Sequence, residues 1–435
     1  MKFAFFLGVS GLIFIAGCGG AGDTSTSATT MRPASPEEVK AAEASVKVDK
    51  NFPKVTAGLN TLGLKTLGSL IKDQGQNRLI SPTSISLALG MAYTGAGGTT
   101  KKEMETAMGL NKILDADYQA AVKTLMTLTR DADSGVVLNI ANGLWTQTGF
   151  EIDSKYSKTT QDAFLADTKT LDFKQQDDAG KAINDWVSEK TAGKIPSLVD
   201  KLPTDTKVVL TNAVYFHGMW TTPFKKEMTR PADFTKSDGK VKSVDMMQLS
   251  GMIAGGESKD AQWIVLPYGK GRAQMTVVLP AKGVKWEDFL KGLTAQQLTK
   301  WNATATKHDS LVRVPSFKFD STLDLKAIMP ALGLKETLSD KADFSGISVK
   351  QRLIIDQFIH KTYIDVNEEG TEAAAATGIT MMPTAVRVQE FTFTADRPFL
   401  YFITEATSGA LLFAGYEAAP PASQPKETGE TNGGK

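Results

Sequence analysis

The chain has 435 residues, 41% hydrophobic and 22% charged, which excludes a disordered or collagen-like polymer and leaves material for a large core. Lysine and arginine total 49 against 48 acidic residues, so no net field draws the chain to nucleic acid, and no long basic block or basic helical stripe is visible. One cysteine, Cys18, excludes an internal disulfide and a cysteine-built metal cage.

In chain order, Lys2 and the apolar run Phe3 to Ala16 read as an export signal, the run being short for a bilayer span. Ile15-Ala16-Gly17-Cys18 resembles the lipobox of bacterial lipoproteins. That resemblance implies removal of residues 1–17, lipidation of Cys18 and export to the cell envelope, the cell surface or the extracellular space, with the lipid anchor as the only membrane contact. Gly19 to about Pro36 has the Gly, Ser, Thr and Ala content of a tether, and residues 18–50 are expected to form a flexible linker.

Phe52, Val55, Leu59, Leu62, Leu67, Leu70 and Ile71 recur at helical spacing, and the folded domain is expected over 51–418. A second helix is expected from Ser81-Pro82 through Met91, ending at Gly95, Gly97 and Gly98, and a third over Ala179 to Glu189. Strands are expected at Lys207–Tyr215, Trp263–Leu266, Met275–Leu279 and Leu311–Phe319, where Val and Thr are frequent. Phe391, Phe393, Phe399–Thr404 and Ala410–Gly415 add two or three buried strands. Helices dominate the first half and strands the second, an α+β pattern. The tail 419–435 is expected to be disordered.

Catalytic constellations are thin. The histidines are His217, His308 and His360, no serine sits in a G-x-S-x-G elbow, and no His/Glu arrangement resembles H-E-x-x-H. His217 falls among strand aromatics and His308 beside charged loop residues, where satisfied or solvated imidazoles are the common outcome. Gly95-Ala96-Gly97-Gly98 lacks the Lys-Ser/Thr of a phosphate loop and reads as a turn. No enzyme, metal or cofactor is expected.

Several separated segments carry a resemblance. Asn77 to Ile85, Ala88-Leu89, Met91 and Gly95 to Thr100 are similar to the helix B opening of serpins, the serine proteinase inhibitors. Ile183-Asn184, Trp186-Val187, Thr191, Gly193 to Ile195, Asn212 to Phe216, Gly218, Trp220 and Pro223-Phe224 are similar to the central serpin signature. Met246-Met247, Leu266 to Tyr268, Val278 to Pro280, the Pro315 to Phe317 region, Ala342 to Ile347 and Arg397 to Leu400 follow in family order. The resemblance spans about residues 52–418 and implies the serpin fold: three β-sheets, about eight or nine helices and an exposed reactive loop at about 368–390.

The stretch from Val366 to Gly378 reads on composition alone as a short helix. The resemblance makes Glu369, Gly370, Thr371, Glu372, Ala373, Ala374, Ala375, Ala376 and Thr377 the hinge of a loop that inserts as a new central strand after cleavage. In such a strand Thr371, Ala373, Ala375, Thr377, Ile379 and Met381 share one face, all small or apolar, while Glu372 falls on the other. Small side chains slide between strands without leaving a charge buried. No proline or second charge interrupts Thr371 to Thr377, which favours an inhibitor over a non-inhibitory relative.

Fourteen residues beyond Gly370 the resemblance places the scissile bond between Thr384 and Ala385. Met381 to Ala385 would suit an elastase-like or subtilisin-like serine proteinase, and Pro383 disfavours a cut after Met382. A count back from Pro398 brings Arg387 to the cut and selects a trypsin-like enzyme. Ser81, Ser84, Asn212 and His360 match the polar cluster beneath the main serpin sheet, with gating as the implied role beside an ordinary one in packing. The implied function is suicide inhibition of a serine-type endopeptidase by a monomer, with acyl-enzyme trapping. A non-inhibitory serpin, a lipoprotein binding module and an inhibitor of cysteine proteinases remain open.

Overall fold

Strands β14 (Phe399–Glu405) and β15 (Leu411–Glu417) are buried at every residue and belong to the core of the fold. The computed structural model describes residues 34–72, 74–130, 135–355, 357–371 and 390–423. Labels run in chain order. With β14 and β15, a nine-stranded sheet holds β1 (Arg78–Ile80), β5 (Arg230–Thr235), β6 (Val241–Glu257), β7 (Ala261–Tyr268), β8 (Ala273–Pro280), β9 (Thr306–Pro315) and β13 (Phe391–Thr394). A six-stranded sheet runs β10 (Phe317–Asp324), β11 (Ile359–Val366), β12 (Gly370–Thr371), β4 (Val208–Met219), β2 (Val136–Gln147) and β3 (Asp167–Leu171) in that order. Nine α-helices stand among the described residues, so the fold is α+β as expected.

The described strands join into two hydrogen-bonded sheets because β6, 17 residues long, serves two neighbourhoods. Its Met246–Gly255 stretch pairs with β9 and its Ala254–Glu257 end with β7, so what would be a second and a third sheet are continuous through one strand.

Helix α2 (Phe52–Leu70) buries the stripe Phe52, Val55, Leu59 and Leu62, as its spacing predicts. Helix α3 (Pro82–Thr94) is apolar nearly all round because it packs on α2, β15 and β4 together. It starts where Ser81 Oγ accepts the Ser84 amide at 3.2 Å, with Pro82 in the first turn, where its missing N–H costs nothing. Helix α7 (Gln176–Lys190) covers β2 and β4 with a separate core in which Trp145 and Trp186 meet edge to face at 5.4 Å.

Four expectations change. Residues Pro36–Val48, expected within the linker, form helix α1, opened by a reciprocal Ser35–Glu38 capping box. It buries Val39 and Ala42, packs on α5 (Asp115–Leu128) and pairs Glu43 with Arg272 at 2.8 Å. The linker expectation for 18–33 lies outside the described residues, as do the signal 1–17 and Cys18. The tail is held through its first residues: Ala419 donates to Asn77 Oδ1, Lys242 to the Pro420 carbonyl, and Ser423 to the Ser243 carbonyl at 3.0 Å. Residues 424–435 lie outside the described residues.

The single strand expected over Leu311–Phe319 is two strands in different sheets, since β9 ends at Pro315 and the Ser316 amide turns to the Asp245 carbonyl before β10 begins. His308 is accordingly a strand residue, its Nε2 2.7 Å from Thr306 Oγ1 and its ring stacked on Phe391. Among the described residues no helix is long and apolar enough to cross a membrane, and no His/Cys/Asp/Glu group has the form of a metal site.

Candidate functional site at the hinge and the sheet opening

Strand β11 ends at Val366 and the chain reverses at once. The Asn367 amide donates to the Gly370 carbonyl at 2.9 Å, while Asn367 Oδ1 accepts from the Glu369 and Gly370 amides at 3.0 and 3.3 Å. This side-chain-closed turn sends Gly370 and Thr371 back as β12, with Val366 opposite Thr371 on one side and Met219 and Gly218 of β4 on the other. A Cβ on Gly370 would lie 2.0 Å from the Gly218 carbonyl oxygen, so the approach of the two backbones requires glycine there.

Thr371 is the first hinge side chain to enter the sheet. It is 2% exposed, and its Oγ1 lies 2.7 Å from the buried Tyr268 hydroxyl. Burial pushes the Tyr268 phenol well above its ordinary pKa, so it stays a neutral partner. The Tyr268 ring stacks on Trp220 at 4.2 Å, and Trp220 Nε1 donates to the Asn367 carbonyl at 2.9 Å. Lys226, in the short 3-10 turn Lys226–Met228, is 2.6 Å from Glu369 Oε1, and Thr229 Oγ1 donates to Glu368 Oε1 at 2.6 Å.

Beyond Thr371, β4 and β11 share no register among the described residues; β12 alone joins them. A cavity of about 680 Å³ opens between Val208–Thr211 of β4 and the segment that leads into β11, with Leu198, Phe344, Ile347 and Phe358 in its wall. A smaller cavity of about 40 Å³ lies between Ser84, Asn212 and His360.

Three of the four cluster residues are linked directly. His360 Nε2 accepts the Ser81 amide at 2.9 Å, which puts the ring proton on Nδ1, and Ser81 Oγ caps Ser84. Burial lowers the His360 pKa to about 4, leaving the ring neutral. Asn212 stands across the small cavity and is tied instead to β2: its Nδ2 donates to Asn142 Oδ1 at 2.6 Å, and Asn142 Nδ2 donates to the Phe164 carbonyl at 2.6 Å. Asn212 Oδ1 is buried without a hydrogen-bond partner among the described residues.

The sequence reading assigned no role to Asn142, Lys226, Thr229 or Tyr268. For Asn142 a signal existed, an amide inside the otherwise apolar stretch Ile140–Trp145. The expected hinge residues Glu372 to Thr377, the expected bond Thr384–Ala385 and Arg387 lie outside the described residues.

The chain belongs to the serpin family: the family model described as serpin (serine protease inhibitor) matches residues 57–420. It is 36% identical over 361 residues to the leukocyte elastase inhibitor of Bos taurus, covering 79% of this chain and 93% of that protein. It is 35% identical over 342 residues to a serpin-like protein of Thermococcus kodakarensis, covering 78% of this chain and 80% of that one. Among solved structures, the thermophilic serpin tengpin in its native state matches with a TM-score of 0.77 at 28% identity, covering 86% of this chain and 95% of tengpin.

Proposed function

We propose that this chain inhibits a serine-type endopeptidase as a single-use substrate, cut between Thr384 and Ala385. The observation that supports this most is the placement of Gly370 and Thr371 between β4 and β11, above strand edges with no common register. A strand continued from Thr371 would direct Ala373, Ala375 and Thr377 to the face on which Thr371, Thr362 and His360 are buried, where small uncharged side chains fit. The proteinase nucleophile would attack the Thr384 carbonyl, Ala385 would leave with the new amine, and insertion would carry the acyl-enzyme away before water completes hydrolysis. The chain supplies no catalytic group to this sequence.

The same reading makes an elastase-like or subtilisin-like enzyme the partner, or a trypsin-like one if Arg387 is cut, and places the protein outside the cytoplasm on a lipid at Cys18. It is tested by mixing the protein with proteinases of the three kinds, running denaturing gels and sequencing the cut. An adduct of summed mass with a new terminus at Ala385 supports the reading, and a terminus at Val388 moves the bond to Arg387. Clean cleavage that leaves the proteinase fully active sinks it. Extraction of acyl-modified Cys18 peptides from membranes tests the anchor, and a mature terminus other than Cys18 overturns it.

A further inference from the structure

One short turn grips the hinge from outside the six-stranded sheet. Glu368 and Glu369 are consecutive, and each carboxylate is taken by a different residue of the segment 226–229: Lys226 for Glu369 and Thr229 for Glu368, both at 2.6 Å. The backbone is pinned at the same two residues, the Trp220 amide donating to the Glu369 carbonyl at 2.9 Å and the Phe224 amide to the Glu368 carbonyl at 2.8 Å. The reversal that must precede any further strand pairing is therefore already built. The two sides of the ion pair differ in access: the Glu369 side chain is 15% exposed and that of Lys226 63%, so the lysine can be altered without touching the core.

We propose that Lys226, seconded by Thr229, is a positioning residue that holds the Asn367–Gly370 reversal in its paired register and thereby sets the fraction of cut molecules that trap the proteinase. The role in trapping rests on the inhibitor reading above. After attack, insertion competes with hydrolysis of the acyl bond. If the reversal is ordered, residue 372 is presented to the sheet with no new chain closure to organise; if it is loose, that closure must be found while the acyl bond is at risk. An ion pair with one solvated partner is modest in strength, so its effect falls on this kinetic ratio and not on whether the protein folds.

The intact chain is compared with Lys226→Ala, Lys226→Arg, Thr229→Val and Glu227→Gln, the last altering a neighbouring exposed charge. Lys226→Ala is expected to raise the number of inhibitor molecules consumed per proteinase trapped by about two- to fivefold, with the rate of the first cut unchanged. Thr229→Val moves the same way, Lys226→Arg restores the wild-type ratio, Glu227→Gln leaves it alone, and the gap between wild type and Lys226→Ala narrows in 1 M salt, where an exposed pair is screened. Hydrogen exchange at the Gly370 and Thr371 amides, read without any proteinase, is expected to be faster in Lys226→Ala. Unchanged exchange at both amides overturns the proposal whatever the gels show, and faster exchange with an unaltered ratio overturns the role in trapping. Failure of the wild type to form any adduct sinks the inhibitor reading, while exchange still decides whether Lys226 orders the reversal.

Discussion

The Ser81 amide donates to His360 Nε2, and this one bond ties β11 to the first turn of α3 through a buried, neutral imidazole. Protonation of Nε2 would both break the bond and bury a charge. The folded pKa of about 4 lies below the ordinary 6.5, so His360 contributes stability that is complete above about pH 6.5 and lost as pH falls towards 4. In Glu417→Gln, where the opposing group discussed next is absent, the urea midpoint is expected to fall as pH drops from 6.5 to 4. A midpoint independent of pH across that window in this variant would rule the assignment out.

Glu417 acts in the opposite direction. Its carboxyl is pushed up to about 8, chiefly by burial, against the hydrogen bond from Asn77 Nδ2 to Oε1 at 2.6 Å. A raised carboxyl pKa gives stability that is complete below about pH 4.5 and lost as pH rises through 8. Each group changes stability by about 1.4 kcal/mol per pH unit within its window, with opposite sign. Between pH 4.5 and 6.5 the two nearly cancel in the wild type. His360→Gln should therefore lose stability steadily from pH 4.5 to 8, and Glu417→Gln should exceed the wild type at pH 8.5, both read from urea midpoints.

Thr371 occupies a position that admits no charge. Its side chain is buried against Tyr268, so Thr371→Arg must either leave the sheet or carry a guanidinium into the core, at a cost of several kcal/mol. The loop should still be cut at an unchanged rate while the yield of adduct falls by more than about tenfold. Densitometry of the adduct and cleaved bands decides it; an undiminished adduct would show that Thr371 does not have to remain in the sheet.

Asn142 is the amide that joins β2 to β4 and to α6 (Ser154–Phe164). Asn142→Leu leaves the Phe164 carbonyl and the Asn212 amide without their partner, so destabilisation by about 2–4 kcal/mol is expected. Chemical denaturation at pH 7 measures it, and a loss under 0.5 kcal/mol would mean that water replaces the missing bonds.

How far the sequence could be read varies with the physics behind each element. Helix α3 was legible because Ser81, Pro82 and Gly95 mark its two ends, and α2 because its apolar stripe is regular. Helix α1 was not, since Pro36–Val48 is rich in Lys, Glu and Ala and buries only Val39 and Ala42; its partner surface on α5 decides its place. Strand β11 was not legible: its burial alternates as in a half-buried strand, but its inward residues include His360 and Thr362, whose polarity hides the alternation in the sequence. The hinge reads alone as a helix, and Gly370–Thr371 is a strand because β4 and β11 offer it free edges. Tyr268 and Lys226 reach the hinge from about 100 and 140 residues away, a proximity that local pattern does not encode.

The place of β14 and β15 between β1 and β8 also fixes the order in which the largest sheet can be finished. Strand β1 pairs with β15 across more than 300 residues of chain, and β8 waits for β14. A ribosome making this polypeptide delivers β14 and β15, which join β1 to β8 in the largest sheet, after every other described strand. Until Glu417 has emerged, β1 and the exposed edge of β8 stand without their native neighbours, and the chain cannot lock. Such a product remains unlocked while more than 300 residues are added after β1, and it carries the risk of mispairing for the same time.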